Sequence, residues 1–441
     1  MDYFWVYEPL RVIIQLMKES FPTILTLGRQ PSMGIAELES LYGAENVKPY
    51  GTEATFLNIE SSKVNFARLG GSTRLCKVLA ELPAASWSAA RDFLAKTIPD
   101  HEKYVPEGKL TIGVSVIGIK VDTKDIERCL LGAKKAVKAL GRSVRIVPNK
   151  TAELNAAQVI HNNLTSSNGW ELVIISNGAT AFLAQTVFIQ DIEGYAARDQ
   201  ARPYRDARVG MLPPKLAQTI INLAVSKIND HSSRLSVLGS RQQPTTLPTE
   251  ATQNLEPRTQ NLVLLDPFCG TGVLLQEASL MGFDAYGTDL EPRMVEYSIG
   301  NMHWIREKFD VAGETVRIEP GDATEHKWQQ PIDLLASETY LGQAYASLPP
   351  QEQLQKNIRY VDSLHRKFLF NLQKQVKKGT RICLAVPAWY TKSGFLHLPV
   401  LDHLQELGYN RVKFVHVSKD DLIYHRENQI VGRELVVLVK D

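Results

Sequence analysis

The sequence predicts an α/β protein, with a mostly parallel, seven-stranded doubly wound sheet over residues 261–441 and α+β pieces before it. Three observations point there. From Asn261 onward, short apolar strands alternate with helices, the pattern that wraps helices over both faces of a parallel sheet. The first of these strands runs through a glycine turn, Asp266-Pro-Phe-Cys-Gly-Thr-Gly272, into the helix Val273–Met281. Upstream, from Thr23 to Ile192, strands and helices come in shorter α+β groupings.

A length of 441 residues suggests two to four domains. Met1 to Met17 is apolar but broken by Asp2, Glu8 and Arg11, and it lacks the basic start and cleavage site of a signal peptide. It reads as an extension before a first α+β domain, the two together covering 1–86. That domain opens with the strand Thr23–Leu27 and a helix after Pro31-Ser32, carrying Ile35, Leu38 and Leu41 and ending at Gly43.

A second α+β domain is expected over 87–192. Its strands are Leu110–Val116, Ser143–Val147, Trp170–Ile175 and Ala181–Ile189, with helices at Asp125–Ala139 and Ala152–Asn163. Between Lys120 and Lys150 lie nine Lys or Arg against three acids, which suits a solvated helix face or a phosphate-contacting surface. Residues 193–228 form an arginine-rich linker, Arg198 to Arg208, and a helix that starts at Pro213-Pro214. Residues 229–260, rich in Ser, Thr, Gln and Pro, read as a flexible insertion.

In the last domain the expected strands are Leu262–Leu265, Ala285–Asp289, Val316–Ile318, Leu334–Ala336, Ile382–Val386, Val412–Val417 and Leu435–Val439. A polar loop without a helix joins the final two, so they should form an antiparallel hairpin.

Composition narrows the class. Charges are nearly balanced, 50 basic against 48 acidic, so only local patches bear on partners. Cys76, Cys129, Cys269 and Cys383 are scattered, with no CxxC pair, which argues against zinc or a disulfide framework and fits a reducing, cytoplasmic setting. Ten histidines show no ligand spacing, so no metal is expected. No apolar run is long enough to span a membrane. The oligomeric state is not written in the sequence.

The glycine turn at 266–272 sits where doubly wound sheets bind nucleotides, and Gly270 and Gly272 let the backbone approach a ligand closely. Asp289 ends the next strand and is placed to accept hydrogen bonds from a ribose diol. A helix N-cap at the same residue is compatible with that role. Asp322, after the third strand, can face an adenine amino group. The turn lacks the GxGxxG of dinucleotide enzymes, and Asp266 would repel a pyrophosphate. An acid there suits a cationic ammonium, as in the methionine half of S-adenosyl-L-methionine.

Taken together, these motifs resemble a known family. Asp266-Pro-Phe-Cys-Gly-Thr-Gly272 looks like the first motif of class I N-methyltransferases acting on RNA. Arg198-Asp-Gln-Ala-Arg-Pro-Tyr-Arg-Asp206 with Gly210-Met-Leu-Pro-Pro-Lys-Leu-Ala217 is similar to the linker of THUMP-domain tRNA guanosine N2-methyltransferases of the guanine-10 type. Tyr424-His-Arg-Glu-Asn-Gln-Ile-Val-Gly-Arg-Glu434 resembles their C-terminal hairpin.

The resemblance implies a ferredoxin-like piece, a THUMP-like domain that grips tRNA, and a Rossmann-like catalytic domain. It implies S-adenosyl-L-methionine as cofactor and the exocyclic N2 of a guanosine as acceptor. It also implies that Asp266, Gly270 and Gly272 hold the methionine portion, Asp289 the ribose and Asp322 the adenine. The Lys120–Lys150 region and the Arg198–Arg208 segment are the expected electrostatic grip on tRNA.

At the acceptor site the chain departs from that family, which carries Asp-Pro-Pro-Tyr after the fourth strand. Aligned on Tyr340, the aspartate falls on Ser337 and the prolines on Glu338 and Thr339. Tyr340 can still stack an extruded base. Glu338 is the candidate to replace the acid, with Ser337 next in line. The departure keeps two other readings open: a catalytically weakened RNA-binding protein, or an amino-methyltransferase acting on rRNA or DNA. Trp389-Tyr390 is a candidate wall of the base pocket, with core or rim packing the alternative, and His425 and Arg426 are candidate RNA contacts, with a solvated loop pair the alternative.

Overall fold

The computed structural model describes residues 21–206, 211–226, 261–309, 311, 313–345, 347–427 and 429–441. The expected extension, Met1 to Met17, and the expected insertion over 229–260 lie outside the described residues.

Chain order begins β1 (Thr23–Leu27), α1 (Pro31–Tyr42), β2 (Val47–Tyr50), β3 (Ala54–Leu57), β4 (Ser72–Glu81), α2 (Trp87–His101), β5 (Leu110–Ile117), α3 (Thr123–Ala139), β6 (Val144–Ile146), α4 (Ala156–His161), β7 (Gly169–Ser176) and β8 (Ala181–Ile189). It continues with α5 (Ile192–Gln200), α6 (Pro214–Ala224), β9 (Val263–Asp266), α7 (Val273–Leu280), β10 (Asp284–Asp289), α8 (Pro292–Phe309), β11 (Val316–Pro320), β12 (Leu334–Glu338) and α9 (Gln351–Gln373). The last strands are β13 (Arg381–Thr391), β14 (Gly394–Leu396), β15 (Tyr409–Arg411), β16 (Ile423–Tyr424) and β17 (Val431–Lys440). These elements fall into two compact units.

The first unit is built on an eight-stranded sheet in the order β2-β3-β1-β4-β8-β7-β5-β6. The ten residues of β4 pair with β1 on one edge and β8 on the other, so the α+β pieces expected over 1–86 and 87–192 run into a single sheet. Helix α3 starts at Asp122, whose carboxylate accepts the Lys124 N–H at 2.8 Å, and buries Ile126, Leu130, Ala133 and Val137 at helical spacing. Its other face leaves Lys124, Arg128, Lys135 and Lys138 exposed. Helix α4 is shorter than expected, because Asn155 and Gln158 close a capping box that starts it at Ala156.

The second unit holds a nine-stranded sheet whose main path is β11-β10-β9-β12-β13-β17-β15, with β14 on β13 and β16 on β17. Pairing is parallel from β11 to β13 and antiparallel beyond. Strand order reverses between β9 and β12, so the crevice at their carboxyl ends is a topological switch point. Helix α9 covers one face, burying Leu354, Ile358, Val361, Phe368 and Leu372. The segment 412–417 is not a strand as expected. The Val415 and His416 N–H groups donate instead to Glu39, each at 2.8 Å, and the strand ends at Arg411.

Glu39 belongs to α1, which clusters with this second unit together with Arg68–Gly71. The fully buried Glu37 explains why. Its carboxylate accepts the Gly70 and Gly71 N–H groups at 2.9 and 2.8 Å and the Asn222 side-chain amide at 2.7 Å. Gly71 has to be glycine, since a Cβ there would lie 2.4 Å from the Gly34 Cα. Removing the carboxylate would strand two buried donors, the Gly70 N–H and the Asn222 amide, at about 1–3 kcal/mol each, and leave the half-buried Gly71 N–H without its partner. Glu37→Ala should therefore lower the stability measured in urea by at least about 2 kcal/mol; a loss under about 0.5 kcal/mol would show that Glu37 does not anchor α1.

Candidate active site

The switch point is shaped by the turn after β9. Gly270 and Gly272 adopt left-handed φ values of 52° and 82°, which a side chain would strain. A Cβ on Gly272 would meet the Ser298 Oγ at 2.4 Å, so this glycine lets α8 pack close. A Cβ on Gly270 would meet nothing within 4 Å, so that side of the turn is open. Asp289 ties the turn to the next strand. Its carboxylate accepts the Gly270 N–H at 2.8 Å and the Glu291 N–H at 3.0 Å, bracing the start of α8 as well. Burial raises its pKa, and those two N–H groups oppose the rise. Asn301 of α8 donates to the Thr271 carbonyl at 2.8 Å and accepts the Tyr204 N–H at 3.0 Å. Asp322, two residues past β11, accepts the Thr324 N–H and hydroxyl at 2.8 and 2.7 Å.

Asp266 and Ser337, 71 residues apart, meet across the reversal of strand order. The Ser337 hydroxyl donates to Asp266 Oδ1 at 2.6 Å, and the Phe268 N–H donates to the same oxygen at 3.2 Å. Asp266 is only 1% exposed, so its carboxylate braces the turn from within. Burial pushes its pKa up to about 7, opposed by Ser337 and Phe268 and reinforced by the charges of Asp289 and Glu338.

The turn after β12 lacks the two prolines, and three neighbours hold it in their place. Arg433 of β17 donates its Nε–H to Glu338 Oε1, with both side chains largely buried. Thr339 donates its N–H to the Ala385 carbonyl at 3.1 Å, and its hydroxyl lies 2.7 Å from the His365 Nε2. Burial drives the His365 pKa down to about 4, so the ring is neutral at pH 7. With Nδ1–H donating to the Val361 carbonyl at 2.8 Å, Nε2 accepts from Thr339. Tyr340 emerges 42% exposed, edge-to-face with the exposed Tyr360 at 6.4 Å. Trp389 is core rather than pocket wall, whereas Tyr390 is exposed.

Two arginines expected to grip RNA turn inward. Arg198 donates to the buried Glu277 at 2.7 Å, and Gln218 donates to its other oxygen at 2.9 Å. Arg202 is 2% exposed. A buried carboxylate on α7 needs countercharge, and the linker supplies it. Arg205 is exposed, and Arg208 lies outside the described residues. Sequence reasoning gave no role to Arg433, Asn301 or Glu277. Arg433-Glu434 did carry a signal, as a charged pair leading into the apolar run Leu435–Val439.

Among the described residues no three His, Cys, Asp or Glu are grouped to hold a metal, no helix is long and apolar enough to cross a membrane, and the four cysteines are free and buried. The raised pKa of Asp266 sets a pH dependence. In its folded, protonated form it favours the native state fully below the normal aspartate range, and that contribution is lost as pH rises through about 7. Asp266→Asn, which keeps the acceptor without the charge, should raise the Tm at pH 8 by several degrees and leave it nearly unchanged at pH 4. An equal or lower Tm at pH 8 would show that the carboxylate carries no buried-charge penalty.

No family model matches the chain. It is 26% identical over 192 residues to a tRNA (guanine(10)-N2)-dimethyltransferase of Methanothermobacter thermautotrophicus, a match covering 43% of each chain. It is 39% identical over 88 residues to the protein of that name from Pyrococcus abyssi, covering 19% of this chain and 24% of the other. The chain thus spans less than half the length of these relatives. Among solved structures, TrmN from Thermus thermophilus aligns with 95% of this chain and 99% of its own, at 16% identity and a TM-score of 0.48. Over part of its length the chain is thus similar in sequence to tRNA (guanine(10)-N2)-dimethyltransferases, and its second unit has a Rossmann-like, doubly wound α/β fold.

Proposed function

We propose that the chain is an S-adenosyl-L-methionine-dependent tRNA methyltransferase that modifies the exocyclic N2 of a guanosine. One observation carries the reading. At a single switch point the open glycine turn and the acids Asp289 and Asp322 lie at the carboxyl ends of successive strands, with Tyr340 exposed after the neighbouring strand. The names of the relatives support the substrate.

The residues present fit the cofactor. The side of Gly270 where a Cβ would meet nothing admits a ligand against the backbone. Asp289 has lone pairs beyond those that take its two N–H donors and can accept a ribose hydroxyl, and Asp322 can accept an adenine amine. Asp266, sealed beneath the turn, contributes negative potential toward the ammonium through the turn it braces. Bound there, S-adenosyl-L-methionine supplies an electrophilic methyl group. Tyr340 holds the guanine flat by stacking. With Glu338 Oε1 taken by Arg433, Oε2 is the oxygen left to accept an amino hydrogen and expose the nitrogen lone pair. Rate enhancement comes mainly from holding amine and methyl in line in a dry pocket.

In this reading the first unit is the tRNA-gripping, THUMP-like part, the exposed lysines and arginines of α3 and its surroundings contact phosphate, and the setting is cytoplasmic. Binding should then weaken steeply with salt. A weakened, RNA-binding relative is the second reading, favoured by the burial of Ser337 against Asp266 and by the Arg433 clamp on Glu338.

Asp289→Ala should cost about 2–3 kcal/mol of cofactor affinity by titration calorimetry, since it removes acceptors both for the ligand and for the turn; unchanged affinity would remove the ribose assignment. Nucleoside mass spectrometry of tRNA incubated with protein and cofactor tests the chemistry. Glu338→Gln should cut turnover by about 10²-fold with cofactor binding intact, and Tyr340→Ala should lose more activity than Tyr340→Phe. Wild-type protein that binds tRNA and cofactor yet transfers no methyl would decide for the weakened relative.

A further inference from the structure

The N-terminal half of α9 lies against the acceptor turn. The Tyr360 ring stands edge-on to the Tyr340 ring, with centroids 6.4 Å apart. Gly342 lets the loop beyond Tyr340 lie close to this part of the helix, since a Cβ there would meet the Asn357 amide and a Val361 methyl at 3.0 Å. The inward face of α9 carries Ile358, Val361, Phe368 and Leu372 into the core. On the outward face, Lys356, Tyr360, Ser363, Lys367, Phe370 and Lys374 recur at alternating steps of four and three residues, and every one is exposed. At helical geometry they form one stripe about 27 Å long. Arg359 is exposed along its border. Of the two acids on the helix, Glu352 is exposed at its start, and Asp362 is held by Arg366 at 3.8 Å and by the Val400 N–H at 2.6 Å.

An exposed row of lysines alone is an ordinary solvated face. This row differs because large rings alternate with the charges: Tyr360 is 61% exposed and Phe370 55%. The Lys374 ammonium lies 3.8 Å from the centre of the Phe370 ring, so charge and ring share one spot of surface. Positive charge with few acids selects a polyanion, and rings with open faces select one that carries stackable groups. Nucleic acid with unpaired bases has both, whereas an acidic protein segment has only the first. The stripe also passes beside Tyr340, the ring proposed for the target guanine.

We propose that the outward face of α9 is a tRNA-binding surface of the second unit. Tyr360 and Phe370 stack on unpaired bases, and Lys356, Lys367 and Lys374 neutralise the phosphates that join them. The inference rests on the RNA reading above.

The test measures binding of the full chain to an unmodified tRNA transcript across a salt series. Lys367→Ala and Lys374→Ala should each lower the salt slope by about one. Tyr360→Ala and Phe370→Ala should each weaken binding roughly tenfold to a hundredfold. Phe370→Leu should lose as much as Phe370→Ala, and Tyr360→Phe should stay within about twofold. Tm, cofactor affinity and sedimentation should not change, because all four positions are exposed. In tRNA methylation, Phe370→Ala should raise KM and leave kcat unchanged, which separates docking from chemistry. If a ring variant lowers the Tm, the salt slopes of the lysine variants decide. Wild type that binds tRNA, with all of these variants matching it in affinity and salt slope, would overturn the surface and leave the RNA reading standing. Wild type that binds no tRNA would sink the RNA reading and the surface with it. A changed sedimentation with tRNA affinity retained would make this face a contact between copies of the chain, overturning the proposal.

Discussion

The hydrogen bond from Ser337 to Asp266 closes the place where the strand order of the second sheet reverses. A doubly wound sheet opens a crevice at that point because the connections on either side leave in opposite directions. Here the two central strands are joined at their carboxyl ends by a buried carboxylate and a hydroxyl. The carboxylate also takes the Phe268 N–H, so the same charge sets the path of the glycine turn. The open side of Gly270, the reach of Asp289 to its N–H and the start of α8 follow from that path.

A buried carboxylate is costly unless its lone pairs are filled, and the second unit uses several. Glu277 is met by Arg198 and Gln218, Glu37 by two glycine N–H groups and Asn222, and Glu434 by Arg411 at 2.8 Å and His397 at 2.5 Å. Each joins segments distant in sequence. Glu37 alone of these joins all three of the separated stretches of chain that make up the second unit, while Glu277 and Glu434 tie together parts of its C-terminal stretch. Residues that would serve as a surface grip in an isolated linker are drawn inward for this purpose.

The acceptor turn shows how one function of a motif can be redistributed. Two prolines stiffen a turn from within by fixing φ. With Glu338 and Thr339 in their places, rigidity comes from outside, through Arg433, Ala385 and His365. Such a turn depends on β13, β17 and α9 being in place, so its geometry is tied to the stability of the whole sheet rather than to its own backbone.

Alternation of apolar strands with helices after Asn261, and the glycine turn with acids at strand ends, were sufficient to specify the class of the C-terminal fold and the position of the crevice. These signals are local: period, turn chemistry and spacing act within a few tens of residues. The partners of buried polar groups were not legible, because they lie 71 residues apart for Asp266 and Ser337 and 95 for Glu338 and Arg433. Nor was the fate of 412–417, where the backbone donates to Glu39 in a helix more than 370 residues earlier. Tertiary structure alone decided that Arg198 and Arg202 turn inward and that Trp389 is core while Tyr390 faces water. Burial is a property of what the rest of the chain covers, and no single segment encodes it.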